Sequence, residues 1–208
     1  RVGTMLAARS AAAKLSLTTT ALLVCDVQER FRSVIMGFDD LVKTTGFMIK
    51  SAATLEMPIV VTEQYPERFQ PTVAELSSLL PAKETSKIFP KTLFSMCTDE
   101  VKSHLKSLGC ESVILCGLET HVCVLQTSLD LLAMGINVHV CADGVSSQRD
   151  FDRSVALSRL QHSGAVLSTA ESLLFQLLTD SKHPKFKALA PFVKENSENA
   201  KTSVLQKL

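Results

Sequence analysis

Short apolar runs alternate with amphipathic segments along most of the chain. The runs predict strands, and apolar residues at three- and four-residue spacing, such as Val122, Leu125 and Leu129, predict helices. Alternation of this kind is typical of βαβ units whose helices cover both faces of a parallel sheet. The predicted strands are residues 21–25, 59–62, 112–117, 137–142 and 165–168, and the predicted helices are residues 39–55, 99–108, 121–134, 151–163 and 171–178.

One domain is predicted over residues 19–193, because no repeat, low-complexity stretch or linker interrupts the alternation. It is preceded by an extension over residues 1–18 and followed by a polar tail over residues 194–208, whose apolar tip could pack on a neighbouring subunit. Since the chain starts with Arg, we expect residues 1–4 to be a non-native remnant before a natural Met5. The proline-rich segment 64–90 breaks the alternation and is predicted to arch over an edge of the sheet.

Charge and composition argue against nucleic acid and membranes as partners of this chain. The 208 residues are 46% hydrophobic, and 22 basic side chains balance 21 acidic ones to a net charge of +1. A near-neutral chain gives no electrostatic reason to bind nucleic acid, and no apolar run is long enough to span a membrane. Six cysteines without a CxxC pair favour a reducing compartment over a disulfide framework. We expect the cytoplasm, with the mitochondrion second because residues 1–20 are basic and free of acids.

Three side chains of catalytic type follow predicted strands or the arch. Asp26 comes directly after the first strand, Lys91 directly follows the proline-rich segment, and Cys123 lies in the first turn of the helix at 121–134. Ligands of open parallel sheets bind beyond the carboxyl ends of the strands, and a helix N-terminus favours a thiolate. Each residue alone is more often a cap, a solvated lysine or a buried filler. Together they would supply the base, the cation and the nucleophile of acyl transfer.

Five short motifs, which follow one another in a fixed order along the chain, resemble those of a known family. They are LLVCDVQERF at 22–31, VTEQYP at 61–66, PKTLFSM at 90–96, CGLETHVC at 116–123 and QTSLD at 126–130. This set resembles the isochorismatase-like cysteine hydrolase superfamily, and within it the eukaryotic isochorismatase domain-containing proteins. The likeness runs from about residue 21 to 187.

The resemblance implies a three-layer α/β/α sandwich around a mainly parallel six-stranded sheet, usually in homo-oligomers. It implies a catalytic triad of Asp26, Lys91 and Cys123. It also implies a cis peptide bond between Leu118 and Glu119, which in relatives aims the backbone N–H groups matching Glu119 and Cys123 at an oxyanion.

The implied reaction is hydrolysis of a non-peptide C–N bond of a small molecule through a thioester, with no cofactor. Gln28, Phe31, Tyr65 and Phe94 are predicted to line the substrate pocket. No metal is expected, because nicotinamidases of this superfamily carry an Asp and two His after the second strand, where this chain has TEQY and no histidine before His104. Cleavage of isochorismate itself is disfavoured, because the enzymes that perform it lack the cysteine matching Cys123.

Two other interpretations remain open. A Cys–His peptidase would pair Cys123 with His121 or His139, but residues two apart on a helix point to different sides, and His139 lies inside a predicted strand. A binding or scaffold protein would keep the fold and the triad with little turnover.

Overall fold

The chain folds around a six-stranded sheet in which every strand pairing is parallel. The computed structural model describes residues 14–81 and 85–206. The strand order is β3-β2-β1-β4-β5-β6. The strands are β1 (Thr20–Cys25), β2 (Ile59–Gln64), β3 (Ser86–Lys91), β4 (Ser112–Leu118), β5 (Asn137–Ser146) and β6 (Val166–Ser168).

Eight α-helices are present in the described part of the chain. They are α1 (Phe38–Thr54), α2 (Pro66–Phe69), α3 (Ala74–Ser77), α4 (Asp99–Ser107), α5 (Leu125–Ala133), α6 (Asp150–His162), α7 (Ala170–Leu178) and α8 (Phe186–Ala200). A π-helical turn, Thr120–Val124, precedes α5, and 3-10 turns occupy Glu29–Phe31 and Val204–Gln206.

The two faces of the sheet are covered by different helices, which gives the predicted three layers. Strand side chains alternate between the faces, so Leu22 and Val24 of β1 join the core beneath α1, α7 and α8. Leu23 and Cys25 join the core beneath α4, α5 and α6. The three-layer α/β/α fold is therefore confirmed.

The proline-rich segment contains more structure than its pattern predicts. It includes the short helices α2 and α3 and ends in β3, which lies at an edge of the sheet. Pro90 is tolerated in β3 because an edge strand needs to donate hydrogen bonds on one side only. The pattern misses this strand because its exposed and buried positions do not alternate regularly.

The ends of the chain also differ from the sequence prediction. Helix α8 crosses the predicted boundary at residue 193, so the polar tail does not begin there as a separate segment. Leu205 near its end is buried in this chain's own core beneath α1. Of the predicted extension, residues 1–13 lie outside the described residues; Leu15, which follows them, is buried.

Candidate active site

Asp26 and Lys91 form a buried ion pair at the carboxyl edge of the sheet. Asp26 directly follows β1 with a left-handed backbone, φ 54°, and Lys91 ends β3. Lys91 Nζ lies 2.7 Å from Asp26 Oδ2, and the two side chains are 0% and 3% exposed. Thr62, on the strand between them, donates a 2.8 Å hydrogen bond to Asp26 Oδ1. Both carboxylate oxygens are therefore engaged.

Three further oxygens enclose the Lys91 ammonium. Nζ donates to Gln64 Oε1 at 2.6 Å, to the Leu93 carbonyl at 2.9 Å and to the Phe94 carbonyl at 3.0 Å. An ammonium has three hydrogens, so with Asp26 four acceptors share three donors. The position of the cation is therefore fixed from several sides.

The charge of Lys91 is stabilised by its neighbours. Burial alone disfavours an ammonium, but electrostatic interactions with Cys25, Asp26 and Cys123 together outweigh that effect and raise the pKa of Lys91. The lysine is consequently a permanent cation at neutral pH, able to stabilise a thiolate beside it.

Cys123 lies in the π-helical turn and is 7% exposed. The neighbouring thiol of Cys25 donates from Sγ to Asp26 Oδ2 at 3.5 Å. Over residues 14–81 and 85–206, no direct hydrogen bond joins Cys123 Sγ to Asp26 or Lys91. Asp26 and Lys91 are thus joined directly at this edge of the sheet, whereas the role of Cys123 as the third member of a triad stays a prediction.

Cys25 acts in this cluster as a protonated thiol. Its complete burial, its hydrogen bond to Cys123 and the charge of Asp26, in decreasing order, raise the pKa of the Cys25 thiol well above the ordinary value. Lys91 opposes this with a smaller effect. Cys25 therefore donates to Asp26 rather than competing with it as an anion.

The backbone before Cys123 corrects one prediction. The Leu118–Glu119 peptide bond is trans, as are all peptide bonds in the described residues, so the predicted cis bond is wrong. The chain reverses instead through positive φ angles at Gly117 (135°) and Glu119 (55°). A cis bond before a non-proline residue costs about 3 kcal/mol, and this turn is made without it.

The carbonyl and side chain of Glu119 are occupied by local contacts. Its carbonyl accepts from the N–H groups of Val122 at 2.9 Å and Val124 at 3.2 Å, and its Oε1 accepts from Gln148 Nε2 at 2.8 Å. The oxyanion role of the Glu119 and Cys123 N–H groups stays a prediction.

A cleft of about 570 Å³ opens above Lys91, between the end of β3 and the start of α4. Its lining includes Tyr65, Glu67, Lys91, Leu93, Cys97 and Lys102. A volume of this size suits a small molecule. Lys91 is the one member of the predicted triad among the described residues that line this cleft.

Comparison with known proteins identifies the family. The model of the isochorismatase domain family matches residues 20–172. Isochorismatase domain-containing protein 2 of Xenopus laevis is 45% identical over 88% of this chain and 87% of that protein. The chain belongs to the isochorismatase family.

Solved structures of other isochorismatase-like proteins share the fold. The structure titled MAR1 ribonuclease from Caenorhabditis elegans is 42% identical, with a TM-score of 0.84 over 88% of this chain and 93% of that one. The Escherichia coli YcaC gene product, described as an octameric hydrolase of unknown specificity, is 21% identical, with a TM-score of 0.74 over 90% of each chain. The second likeness concerns the fold alone.

The four predicted pocket residues of this isochorismatase family member have different surroundings. Tyr65 lines the cleft. Phe94 is 55% exposed, and its carbonyl holds Lys91. The Phe31 ring packs on Phe69, with 5.1 Å between ring centroids. Gln28 is fully buried, and its amide bonds the backbone of Gln64 and the carbonyl of Gln70, so it holds a loop at this edge.

The histidines do not form a Cys–His pair. His121 Nδ1 lies 2.9 Å from Ser147 Oγ and 3.3 Å from Glu119 Oε2. His139 is buried in β5 without a hydrogen-bond partner, and burial lowers its pKa.

Within the described ranges, no group of three His, Cys, Asp or Glu side chains is arranged to hold a metal ion. None of the helices in those ranges has the length and apolar character that a membrane span needs.

The sequence analysis did not identify two side chains, Gln64 and Thr127, whose hydrogen bonds position Lys91 and the backbone of Cys123. Gln64 orients Lys91, and its Nε2 donates to the Thr92 carbonyl at 2.8 Å. Thr127 accepts from the Met96 N–H at 2.8 Å and donates to the Cys123 carbonyl at 2.6 Å. Both lie inside the quoted motifs, but nothing in their spacing indicates what they contact.

Proposed function

We propose that this chain is a cysteine-dependent hydrolase that cleaves a non-peptide C–N bond of a small amide, ureide or carbamoyl compound. The observation that carries the proposal is the buried ion pair of Asp26 and Lys91 at the carboxyl edge of the sheet, the edge at which the turn with Cys123 follows β4. Burying an ion pair is costly, so a pair maintained next to a thiol favours a chemical role. Family membership supports the hydrolase class.

In this mechanism Cys123 is the nucleophile. Asp26 accepts the thiol proton, and Lys91 balances the charge of the thiolate. The sulfur attacks the carbonyl carbon, and the oxyanion is stabilised by the N–H groups of Glu119 and Cys123. The C–N bond then breaks, and the amine leaves with the proton held by Asp26.

The second half of the reaction releases the acid. Asp26 takes a proton from water, the hydroxide attacks the thioester carbon, and the sulfur leaves as the thiolate again. The neutral groups around Lys91 leave Asp26 as the base at this edge, because Gln64 and the carbonyls of Leu93 and Phe94 do not titrate.

An ammonia-release screen over small amides, ureides and carbamoyl compounds tests the proposal. Turnover should disappear in Cys123→Ala and fall by about a hundredfold or more in Lys91→Met. Cys110→Ala is the matched control and should retain full turnover, because its sulfur bonds the Ser112 carbonyl at the start of β4, at the opposite end of that strand from the candidate site. Equal turnover in Cys123→Ala and the wild type would exclude the cysteine mechanism.

RNA cleavage is the second candidate, favoured by the ribonuclease title of the 42% identical Caenorhabditis elegans protein. A net charge of +1 provides little attraction for a polyanion. Purified protein should be incubated with labelled single-stranded RNA alongside Cys123→Ala and Lys91→Met. Cleavage that persists through purification and is lost in Lys91→Met would replace the C–N hydrolase assignment.

A scaffold with little turnover is the non-enzymatic alternative. The reactivity of the Cys123 thiol distinguishes a scaffold from an enzyme, because a nucleophilic cysteine is alkylated faster than structural cysteines. Iodoacetamide should label Cys123 before Cys97 and Cys110, whose thiol pKa burial raises to about 11 in each case. Labelling of Cys97 or Cys110 ahead of Cys123 would favour the scaffold.

We also infer a homo-oligomer. Phe151 and Val155 are 78% and 53% exposed one turn apart on α6, and large apolar side chains in such a position suit an interface. The octameric state described for the YcaC gene product concerns a distant relative and supports the idea only by analogy. Light scattering of the wild type should report more than one subunit, and Phe151→Glu should lower that number.

A further inference from the structure

The side chain of Glu119 is bound by the loop that follows β5. Glu119 lies in the turn between β4 and Cys123, and its side chain is 13% exposed. Gln148 Nε2 donates a 2.8 Å hydrogen bond to Glu119 Oε1. The other oxygen, Oε2, is buried, accepts no hydrogen bond from the described residues, and lies 3.3 Å from His121 Nδ1. The carboxylate therefore lies between an amide that donates to it and an imidazole.

The backbone of Glu119 adopts a conformation that needs such support. Its φ and ψ angles are 55° and 70°, in the left-handed region that residues with a β-carbon enter at a cost in free energy. A glycine would adopt these angles without that cost. This chain has a glutamate instead, and its side chain connects the turn to a second segment.

The loop after β5 is itself fixed to the rest of the fold. Leu118 of β4 pairs with Ser146 of β5, which brings the turn after β4 alongside the loop after β5. Ser146 Oγ donates to the Met36 carbonyl at 2.6 Å, and the Met36 N–H donates to the Ser147 carbonyl at 3.1 Å. Gln148 therefore extends from a backbone that is held in place.

His121 provides a second connection between the same two segments. Its Nδ1 lies 2.9 Å from Ser147 Oγ. Its Nε2 lies 4.0 Å from Oδ2 of Asp152, a carboxylate in the first turn of α6 that also pairs with Arg149. The turn that contains Cys123 is thus connected to the start of α6 by polar contacts at more than one point.

We propose that Gln148 is a positioning residue of the hydrolase: by binding the Glu119 carboxylate, it keeps the left-handed turn in the conformation that directs the Glu119 N–H at the oxyanion. The inference rests on the proposed function, in which the N–H groups of Glu119 and Cys123 stabilise that oxyanion. Gln148 acts through Glu119, the residue that its amide bonds within the described part of the chain.

Loss of this hydrogen bond should affect the chemical step more than the fold. Gln148 is exposed, and substitutions of exposed side chains usually change stability little. An oxyanion donor, in contrast, must lie where the negative charge develops, so a small displacement of the donor slows acyl transfer. The expected signature is therefore slower acylation with unchanged probe binding and unchanged thermal stability.

Acylation by p-nitrophenyl acetate tests the inference. Attack of Cys123 on this activated ester forms an oxyanion and releases coloured p-nitrophenolate, and mass spectrometry locates the acetyl group. At saturating probe, Gln148→Ala should be acylated at least about tenfold more slowly than the wild type, with a half-saturating concentration within about twofold. Gln161→Ala is the matched control, because Gln161 is also exposed and lies in the last turn of α6; it should be acylated like the wild type.

Two further variants separate positioning from a general loss of structure. Gln148→Glu places a second carboxylate against that of Glu119 and should slow acylation more than Gln148→Ala does. Combining Glu119→Gln with Gln148→Glu restores an amide–carboxylate hydrogen bond with the donor on the other side, and should recover acylation to within about threefold of the wild type. Iodoacetamide alkylates a thiol without forming an oxyanion, so it should label Cys123 at the same rate in every variant.

Different failures point to different errors. Equal acylation of the wild type and Gln148→Ala, or a combined variant no faster than Gln148→Glu alone, would overturn the positioning role while the proposed hydrolase stands. A parallel loss of iodoacetamide labelling in Gln148→Ala would overturn it as well, because the substitution would then disturb the thiol itself. If Cys123 of the wild type reacts with neither probe, both the inference and the proposed hydrolase are overturned.

Discussion

Lys91 is the residue on which the charge balance of the site depends, because its ammonium is the cation of the buried ion pair. It bridges the Asp26 carboxylate, the Gln64 amide and two carbonyls of the following loop. Because these contacts come from β1, β2 and the segment after β3, one side chain orders three parts of the sheet edge. Removing one partner of a buried ion pair leaves the other charge unpaired, which is more damaging than losing the pair.

Lys91→Met should therefore lower the free energy of unfolding by about 3–5 kcal/mol at neutral pH. The pKa of Lys91 is raised above its ordinary value of 10.5, so the folded state binds this proton more tightly than the unfolded state. Its stabilisation is complete below pH 10.5 and is lost as the pH rises through the higher folded pKa.

Urea denaturation at several pH values between neutral and strongly alkaline measures this. The stability difference between the wild type and Lys91→Met should shrink above pH 10.5. Lys50→Met is the control, because Lys50 pairs with Glu195 on the surface at 2.8 Å and should change stability by less than about 1 kcal/mol. A difference that does not vary with pH would contradict the assignment.

Between elements, the site depends on contacts that cross from one strand or helix to the next. Gly117 of β4 pairs with Cys25 of β1, and a β-carbon at Gly117 would lie 2.2 Å from the Cys25 carbonyl oxygen. Thr127 of α5 connects the carbonyl of Cys123 to the N–H of Met96. These contacts hold β1, β4, α5 and the loop after β3 in register.

Gly117→Ala should destabilise the fold by about 3 kcal/mol or more, because the added methyl group overlaps backbone that cannot move independently. Gly109→Ala is the matched control. It also has a positive φ, 61°, but its β-carbon would meet nothing within 4 Å, so only about 1–2 kcal/mol of backbone strain is expected. Thermal unfolding measures the stability lost in each variant. Equal losses in Gly117→Ala and Gly109→Ala would contradict the predicted overlap with the backbone of Cys25.

Thr127→Val should slow turnover and lower stability by about 1–3 kcal/mol, because the buried Met96 N–H loses its acceptor. Thr127→Ser keeps the hydroxyl and should restore the rate. Ser128→Ala removes a hydroxyl that bonds only the Val124 carbonyl within the same helical segment. A rate defect in Ser128→Ala as large as that of Thr127→Val would argue against a bridging role.

At the scale of the whole molecule, the end of the described chain closes the core on the α1 side. Leu205 is 2% exposed, and its carbonyl accepts from Arg153 Nη2 at 3.0 Å. The Val204 N–H donates to Asp40 Oδ2 at 3.0 Å. The segment predicted to reach a neighbouring subunit is therefore packed within its own subunit.

Leu205→Ala should lower the free energy of unfolding by about 2–4 kcal/mol, as for other buried leucines cut back to alanine. Val204→Ala is the neighbouring control, because its side chain is 48% exposed and its backbone contact survives, so a change within about 0.5 kcal/mol is expected. Denaturation by guanidinium measures both. Similar values for the two variants would show that the segment does not pack in solution.

Local pattern alone determined the layered α/β architecture, five of the six strands, and the sheet edge at which Asp26 lies. These follow from short-range geometry, because strand and helix periods and the polarity of parallel strands are properties of nearby residues. The triad assignment itself came from the family motifs.

Tertiary structure alone decided the features that depend on which segments become neighbours. Strand β3 exists because β2 offers it hydrogen bonds, and position 117 requires glycine because the backbone of Cys25 lies where a β-carbon would be. The ion pair of Asp26 and Lys91 joins residues far apart in the chain. No local period encodes such contacts, because their energy comes from burial and hydrogen bonding between distant segments.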